Sequence, residues 1–445
     1  MANQLGMTTW LPATGGAATY RSARAGAPLS LLLGFLALTF VGTHPMASVE
    51  AGARADGDVL DRIAVLGLFA MACVHLWRRR AHVATFAARN VAFFAVIGVC
   101  VSSILWSDYP ALTLRRGMLL GLLALIAFTI ALTIDDVRRM HTRLFVAMTA
   151  IVLINIVATL ALPGRAISPL GVQGIYTQKN VAGAVAMIAA IVAATWIAGA
   201  STTRSKFVGA LALVPILGFL VATNSKTSIN LTLIGLVIAM FADLVERFKA
   251  PIVLLAVFVG SLCVVALLAW LGAYDFDIGA ATSALIGDTS FTGRDELWAF
   301  VRRAANRRYW LGHGYGAYWD VGQANDPLLR AEAGSWLASV DIGTINQAHQ
   351  GYLELWLHIG VPATAAATVI VAARAARGAF GALFTHRSRE WRAFLACMTL
   401  IVTLNLLHNF TEATFFMRGA QFWNFAMLAY FAIAAALYRV REARP

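Results

Sequence analysis

The 445-residue sequence is 60% hydrophobic and only 13% charged, with a mean hydropathy of +0.72. Soluble domains are nearer half apolar and a quarter charged, so this composition excludes an ordinary soluble protein. The formal charge of +13 reads as basic cytoplasmic loops of an integral membrane protein and not as a nucleic-acid surface.

Residues 1–26 are mostly polar or small, with Arg21 and Arg24 near their end. The first apolar run lacks a convincing cleavage site, so a cytoplasmic tail is expected. About twelve runs are then long enough to cross ~30 Å of hydrocarbon as helices, which predicts an all-α polytopic membrane protein. They lie near 27–43, 59–77, 88–106, 114–133, 144–162, 181–200, 207–223, 228–246, 251–273, 350–373, 391–410 and 420–438. The predicted organisation is nine spans over 27–273, a loop region over 274–349, three spans over 350–438 and a cytoplasmic tail over 439–445. Cys73, Cys100, Cys263 and Cys397 sit far apart inside apolar runs, with neither a disulfide nor a metal-binding spacing.

Basic connections fix the orientation. With the N-terminus inside, "RRRAHVATFAARN", "IDDVRRMHTR", "STTRSK", "ERFKA", "ARAARGAFGALFTHRSREWR" and "RVREARP" are cytoplasmic. The other face receives "MASVEAGARADGDVLD", "WSDYPALTLRR", "LPGRAISPLGVQGIYTQKN", "TNSKT", the long 274–349 segment and "TEATFFMRGA". Most acidic residues fall on this second face.

Against the trend, this face keeps Arg115, Arg116, Lys179, Lys226 and Arg294 near helix ends, beside Asn180, His349 and Glu412. Each cation alone reads as a side chain snorkelling to the headgroups. Together they suggest an anionic ligand at the outer leaflet. In "TSFTGRDELWAF", Thr292 can cap a helix whose first turn holds Arg294, which suits a diphosphate. The bland alternative pairs Arg294 with an acid of its own helix. Arg302, Arg303, Arg307 and Arg308 read as a headgroup-facing surface. "GHGYGAYW" fails the dinucleotide spacing and reads as a tight turn among aromatics.

On a helix starting near residue 349, His349, Tyr352, Leu353 and Trp356 share a face, and Glu354 points elsewhere. A histidine can exchange a proton near physiological pH, so His349 could serve as a general base, or it is simply solvated. His408 and Glu412, four apart, would share a helix face. No metal-ligand or Ser/His/Asp pattern stands out.

Six stretches carry a resemblance: "SSILWSDYPALTLRRG", "GIYTQKNVAGA", "TNSKTSINLTL", "FTGRDELW", "YWLGHGYGAYW" and "NQAHQGYLELWLHIGVP". In this order they resemble the O-antigen ligase and polysaccharide-polymerase superfamily (the WaaL and Wzy type), and look most similar to ExoQ-type exopolysaccharide polymerases. The resemblance implies a GT-C-like helix bundle with one large periplasmic loop, in the bacterial inner membrane. It implies cofactor-free, metal-independent, inverting transfer from an undecaprenyl diphosphate-linked glycan to a glycan or lipid A-core acceptor. Membrane lipids, a flippase and a chain-length regulator are the implied partners, and nucleic acid is not one.

The family's loop histidine falls on His349, eleven residues before Gly360, its short-loop arginine on Lys226 and its long-loop arginine on Arg294. Lys179 and Asn180 match a "KN" pair. Arg116 joins the substrate-binding set, with Tyr352 and Glu412 in support. Departures are Gln350 after the histidine, Ala363 for a glycine, and Lys226 itself, a point charge without a bidentate fork. These fit a polymerase better than a lipopolysaccharide ligase, which stays the alternative. A flippase for the lipid-linked glycan is the rival from another class, but it should carry cations along its helix interiors rather than at one face.

The orientation is testable with single cysteines and a membrane-impermeant thiol reagent in spheroplasts. Positions near 320 and 340 should label and one near 383 should not. The reverse pattern would overturn the assignment of faces.

Overall fold

The computed structural model describes residues 28–46, 59–248, 294–384 and 387–442. Fourteen described helices carry the chain: α1 Leu29–Phe40, α2 Val59–Arg78, α3 Arg80–Ala88, α4 Val91–Ser102, α5 Pro110–Leu132, α6 Val137–Ala161, α7 Pro163–Ala166, α8 Lys179–Gly199, α9 Thr203–Ala222, α10 Lys226–Phe248, α11 Arg294–Arg307, α12 Gly351–Phe384, α13 Arg389–His408 and α14 Gln421–Glu442. The one β element is a two-residue ladder, Ile167–Ser168 against Gly171–Val172, antiparallel, among the described residues. Local chemistry sets several helix starts. Asp136, Thr202 and Ser388 each accept a hydrogen bond from a backbone N–H of the first turn, and Pro110 opens α5.

Eight helices are long and apolar enough to cross a membrane, or nine if the bent pair α3–α4 is one span. The protein is an all-α polytopic membrane protein. The expected count of twelve is not reached among the described residues, for four separate reasons. The run 228–246 counts only as a shorter apolar helix over Lys226–Ala239. The run 251–273 lies outside them. The run 27–43 forms a helix of only 12 residues, about 18 Å long, too short for ~30 Å of hydrocarbon. The run 88–106 is not one straight helix, because α3 meets α4 at 81°. At that corner Asn90 donates to the Phe86 carbonyl at 2.8 Å, and buried Arg374 donates to the Arg89 carbonyl at 3.0 Å. The basic stretches expected as connections before residue 90 and after 373 are therefore largely helical.

Helix α8 is the central post, packed against α6, α9, α10 and α13. Its "VAGAVAMIAAIVAATWIAG" face is almost wholly buried, since small side chains let neighbouring backbones approach. Among the described residues the loops gather at two ends. Arg79 pairs with Asp135 at 2.8 Å and Arg138 with Glu390 at 3.9 Å at one end. At the other end, the segments 103–109, 162–178, 223–227, 308–350 and 409–420 interlock, which makes the loop-rich end.

The turn at 312–316 is docked on α12. His313 and Gly314 donate to the Leu357 and His358 carbonyls, and Val361 donates to the Tyr309 carbonyl. These bonds require α12 to break its own ladder, which it does at Gly360 (φ 79°, ψ 167°), just before Pro362. A Cβ on Gly360 would overlap the Trp310 carbonyl. Trp106, Asp108 and Ser103 fasten the same turn from α4's end. Trp106 Nε1 donates to the Leu311 carbonyl at 2.8 Å and Arg308 to Asp108 at 2.6 Å. Arg308 is thus a structural clasp and not a headgroup-facing cation, and Arg303 pairs with Glu332 at 3.0 Å.

Gly360→Ala should therefore lower thermal stability in detergent by about 2 kcal/mol or more, from left-handed strain plus the clash. A melting midpoint equal to wild type would show that the α12 break does not depend on glycine.

Candidate functional site

Three segments converge on one carboxylate at the loop-rich end. Glu412 sits in the turn after α13, 6% exposed. Its Oε1 accepts from Asn180 Nδ2 at 2.7 Å and from Arg294 at 3.3 Å. Its Oε2 lies 3.3 Å from His349 Nδ1. A second Arg294 nitrogen donates to the Thr411 carbonyl at 2.8 Å. All four residues were candidates from the sequence, but their common centre was not foreseen. Arg294 does pair with an acid, although one from another segment and not from its own helix.

The turn that presents Glu412 is built by buried Asn409. Its Oδ1 accepts from the N–H groups of Thr414 and Phe415, both at 2.8 Å, and its Nδ2 donates to the Asn405 carbonyl at 2.7 Å. The Asn409 carbonyl also receives the Gly351 N–H at 2.8 Å, which ties the start of α12 to this turn. Only glycine fits at 351, because a Cβ there would overlap the Asn409 side chain. His408 and Glu412 do not share a helix face. His408 ends α13 with its ring against Phe422, while Glu412 turns to the cluster.

His349 is likewise not on a helix. It precedes α12 in the left-handed region, with φ 51°, so the face expected with Tyr352, Leu353 and Trp356 does not include it. A non-glycine residue holds that conformation only when its surroundings fix it. The neighbouring Ala348 is pinned on both sides: its N–H donates to Glu354 Oε2 at 2.7 Å and its carbonyl accepts from Trp298 Nε1 at 2.9 Å. Glu354 points away from the histidine ring, as expected, yet orients its backbone. Trp319 Nε1 donates to the same Glu354 oxygen at 3.2 Å. This role was missed; the available signal was a lone acid inside an apolar helix. Gln350 caps α12 by accepting from the Leu353 N–H.

The remaining candidates separate. Lys226 is the exposed first residue of α10 and forms no hydrogen bond or ion pair among the described residues; its neighbour Thr227 meets Thr411 at 3.3 Å. Lys179 donates to the Leu170 and Asn224 carbonyls at 3.0 and 3.2 Å, joining two loops. Arg116 is buried and staples the aromatic turn by donating to the carbonyls of Gly316, Trp319 and Asp320. Tyr352 donates to the Leu406 carbonyl at 2.7 Å and packs on Phe410 and Phe415. Thr292 lies outside the described residues. Among them, no group of three His, Cys, Asp or Glu side chains is placed to hold a metal ion.

The electrostatics follow from the geometry. Burial alone would raise the Glu412 pKa, but the hydrogen bond from His349, with the fields of His349 and Arg294, outweighs it and holds the carboxyl below its usual range. Glu412 is therefore ionised. A carboxylate only accepts, so His349 Nδ1 faces it as the donor, which leaves Nε2 as the ring nitrogen that can exchange a proton.

Residues 211–368 match the family described as O-Antigen ligase (Wzy_C). The matched stretch contains Lys226, Arg294 and His349, while Asn180 and Glu412 lie outside it. No curated protein matches the chain.

A carboxyl whose folded-state pKa is depressed adds stability above its ordinary pKa of ~4.3, and that stability is lost as pH falls through the folded value. Glu412→Gln should accordingly melt below wild type at neutral pH, with the gap closing in acid. A gap that persists unchanged to pH 3 would argue against an ionised Glu412.

Proposed function

Because the chain carries an O-antigen ligase family domain within a polytopic membrane protein, we propose that it is a glycosyltransferase with His349 as its general base. Members of this family are glycosyltransferase-like ligases or polymerases. The observation that carries the assignment of the base is the Glu412–His349 contact, which holds one ring nitrogen and leaves the other open. An acceptor sugar hydroxyl is a poor nucleophile at neutral pH. His349 Nε2 takes its proton as the oxygen forms a bond to the anomeric carbon of the donor. The bond from that carbon to the diphosphate breaks on the opposite side, which inverts the centre, and its electron pair leaves with the diphosphate. The leaving group needs cations and no acid. Lys226, exposed beside the cluster, and the partly exposed Arg294 supply them.

The donor is an undecaprenyl diphosphate-linked glycan, and the reaction joins its repeats at the periplasmic face of the inner membrane. The Ser225–Lys226–Thr227 stretch supports the polymerase; the family description supports a ligase acting on lipid A-core. Export genes for exopolysaccharide beside the coding gene would favour the former.

Two substitutions separate the roles in single-turnover transfer with donor binding measured alongside. His349→Ala should slow the chemical step by about 10² to 10⁴-fold with donor affinity kept. Lys226→Ala should weaken donor binding and leave the position of the base untouched. Arg294→Ala should do both, because Arg294 also holds the Glu412 turn. Near wild-type turnover in His349→Ala would end the catalytic reading.

A further inference from the structure

A cavity of about 1240 Å³ adjoins the Glu412 cluster without including any of its four side chains. Each of three cluster segments sends a residue three positions away into its wall: Thr177 near Asn180, Asn346 near His349, and Phe415 near Glu412. One end is apolar and opens sideways between α2 and α5, where the lining residues Leu66 and Met118 are 56% and 48% exposed on the lipid-facing surface. The other end is polar and lies under the aromatic turn.

The polar end has both kinds of unpaired group. Arg116 Nε is a donor, and Asn424 Oδ1 and Glu354 Oε1 are acceptors; all three are buried without a hydrogen-bond partner, on residues 2–3% exposed. Glu354 Oε1 does lie 3.2 Å from His358 Nε2, outside hydrogen-bond geometry. The Arg418 guanidinium, also on the wall, makes no hydrogen bond or ion pair among the described residues. Buried unpaired groups of this kind are costly unless a ligand or water completes them. A phosphate offers acceptors only and would meet the Asn424 and Glu354 oxygens unfavourably. Hydroxyls both donate and accept, so they complete the set.

We propose that this cavity is the acceptor site and takes the terminal sugars of a membrane-anchored glycan, whose lipid leaves between α2 and α5. The proposal rests on the transferase reading. It brings the acceptor hydroxyl to His349 from one side while Lys226 and Arg294 hold the donor diphosphate elsewhere on the cluster.

Binding to the purified full chain in detergent, counted by native mass spectrometry, tests this apart from catalysis, and His349→Ala should bind as wild type does. The probes are undecaprenyl diphosphate-linked glycan, sugarless undecaprenyl diphosphate, and lipid A-core. A polymerase should bind two lipid-linked glycans but one sugarless lipid. Met118→Trp, at the half-exposed portal, should remove the second glycan only. Asn424→Leu should weaken it about tenfold, the worth of one buried hydrogen bond. A ligase should instead show lipid A-core binding with the same sensitivity to both substitutions. The proposal is overturned if neither glycan nor lipid A-core binding responds to them, or if Met118→Trp abolishes binding of the sugarless lipid, which would make the cavity the donor's.

Discussion

One buried carboxylate organises the loop-rich end of this protein. Glu412 receives an amide from the start of α8, a guanidinium from the start of α11 and an imidazole from the residue before the α12 helix. An ionised group taken out of water is costly unless its oxygens are occupied, and here both are. The requirement runs in both directions. The three segments satisfy the carboxylate, and the carboxylate gathers side chains that stand 63 to 232 residues before it in the chain.

Around that centre, backbone conformations that are unfavourable by themselves are held by pairs of contacts. His349 keeps a left-handed φ because Glu354 and Trp298 grip the two sides of Ala348. Gly360 breaks α12 so that its carbonyls and an N–H can bond to the 309–314 backbone. Glu354 belongs to both arrangements, since the Trp319 of the docked turn donates to the same oxygen that accepts from Ala348. The aromatic turn and the histidine are therefore mechanically one unit. The same turn, stapled by Arg116, roofs the cavity beside the cluster. In the proposed reading, the base stands where a donor held by exposed cations and an acceptor held by unpaired buried groups can meet. Separate sites for the two sugars would keep the donor's diphosphate away from the Asn424 and Glu354 oxygens.

Much of this was legible in the chain. Apolar runs of about 20 residues require helices in hydrocarbon, because backbone groups there have no water to bond. Alternating basic connections sort the loops into two sets, and the described loops gather at two ends. The residues His349, Arg294, Asn180 and Glu412 stood out because polar side chains at span ends need a reason. The periodicity was blind to interruptions: α1 ended short, and α3 and α4 bent at Asn90. A helix-face argument for His349 failed because its φ is positive, which hydropathy cannot reveal.

What the sequence determined by itself was therefore the solvent, the element type and the inventory of polar groups, since these depend on composition and local spacing. Tertiary structure decided what each polar group does. Lys179, Arg116 and Lys226 are alike as cations in a sequence, yet the first two are bound to backbone carbonyls and the third is exposed. Glu354 and Glu412 are both acids near span ends, and only the fold makes one a backbone anchor and the other the partner of His349. Hydrogen bonds act over about 3 Å, so their partners are set by which distant segments the packing brings together, and no local pattern encodes that.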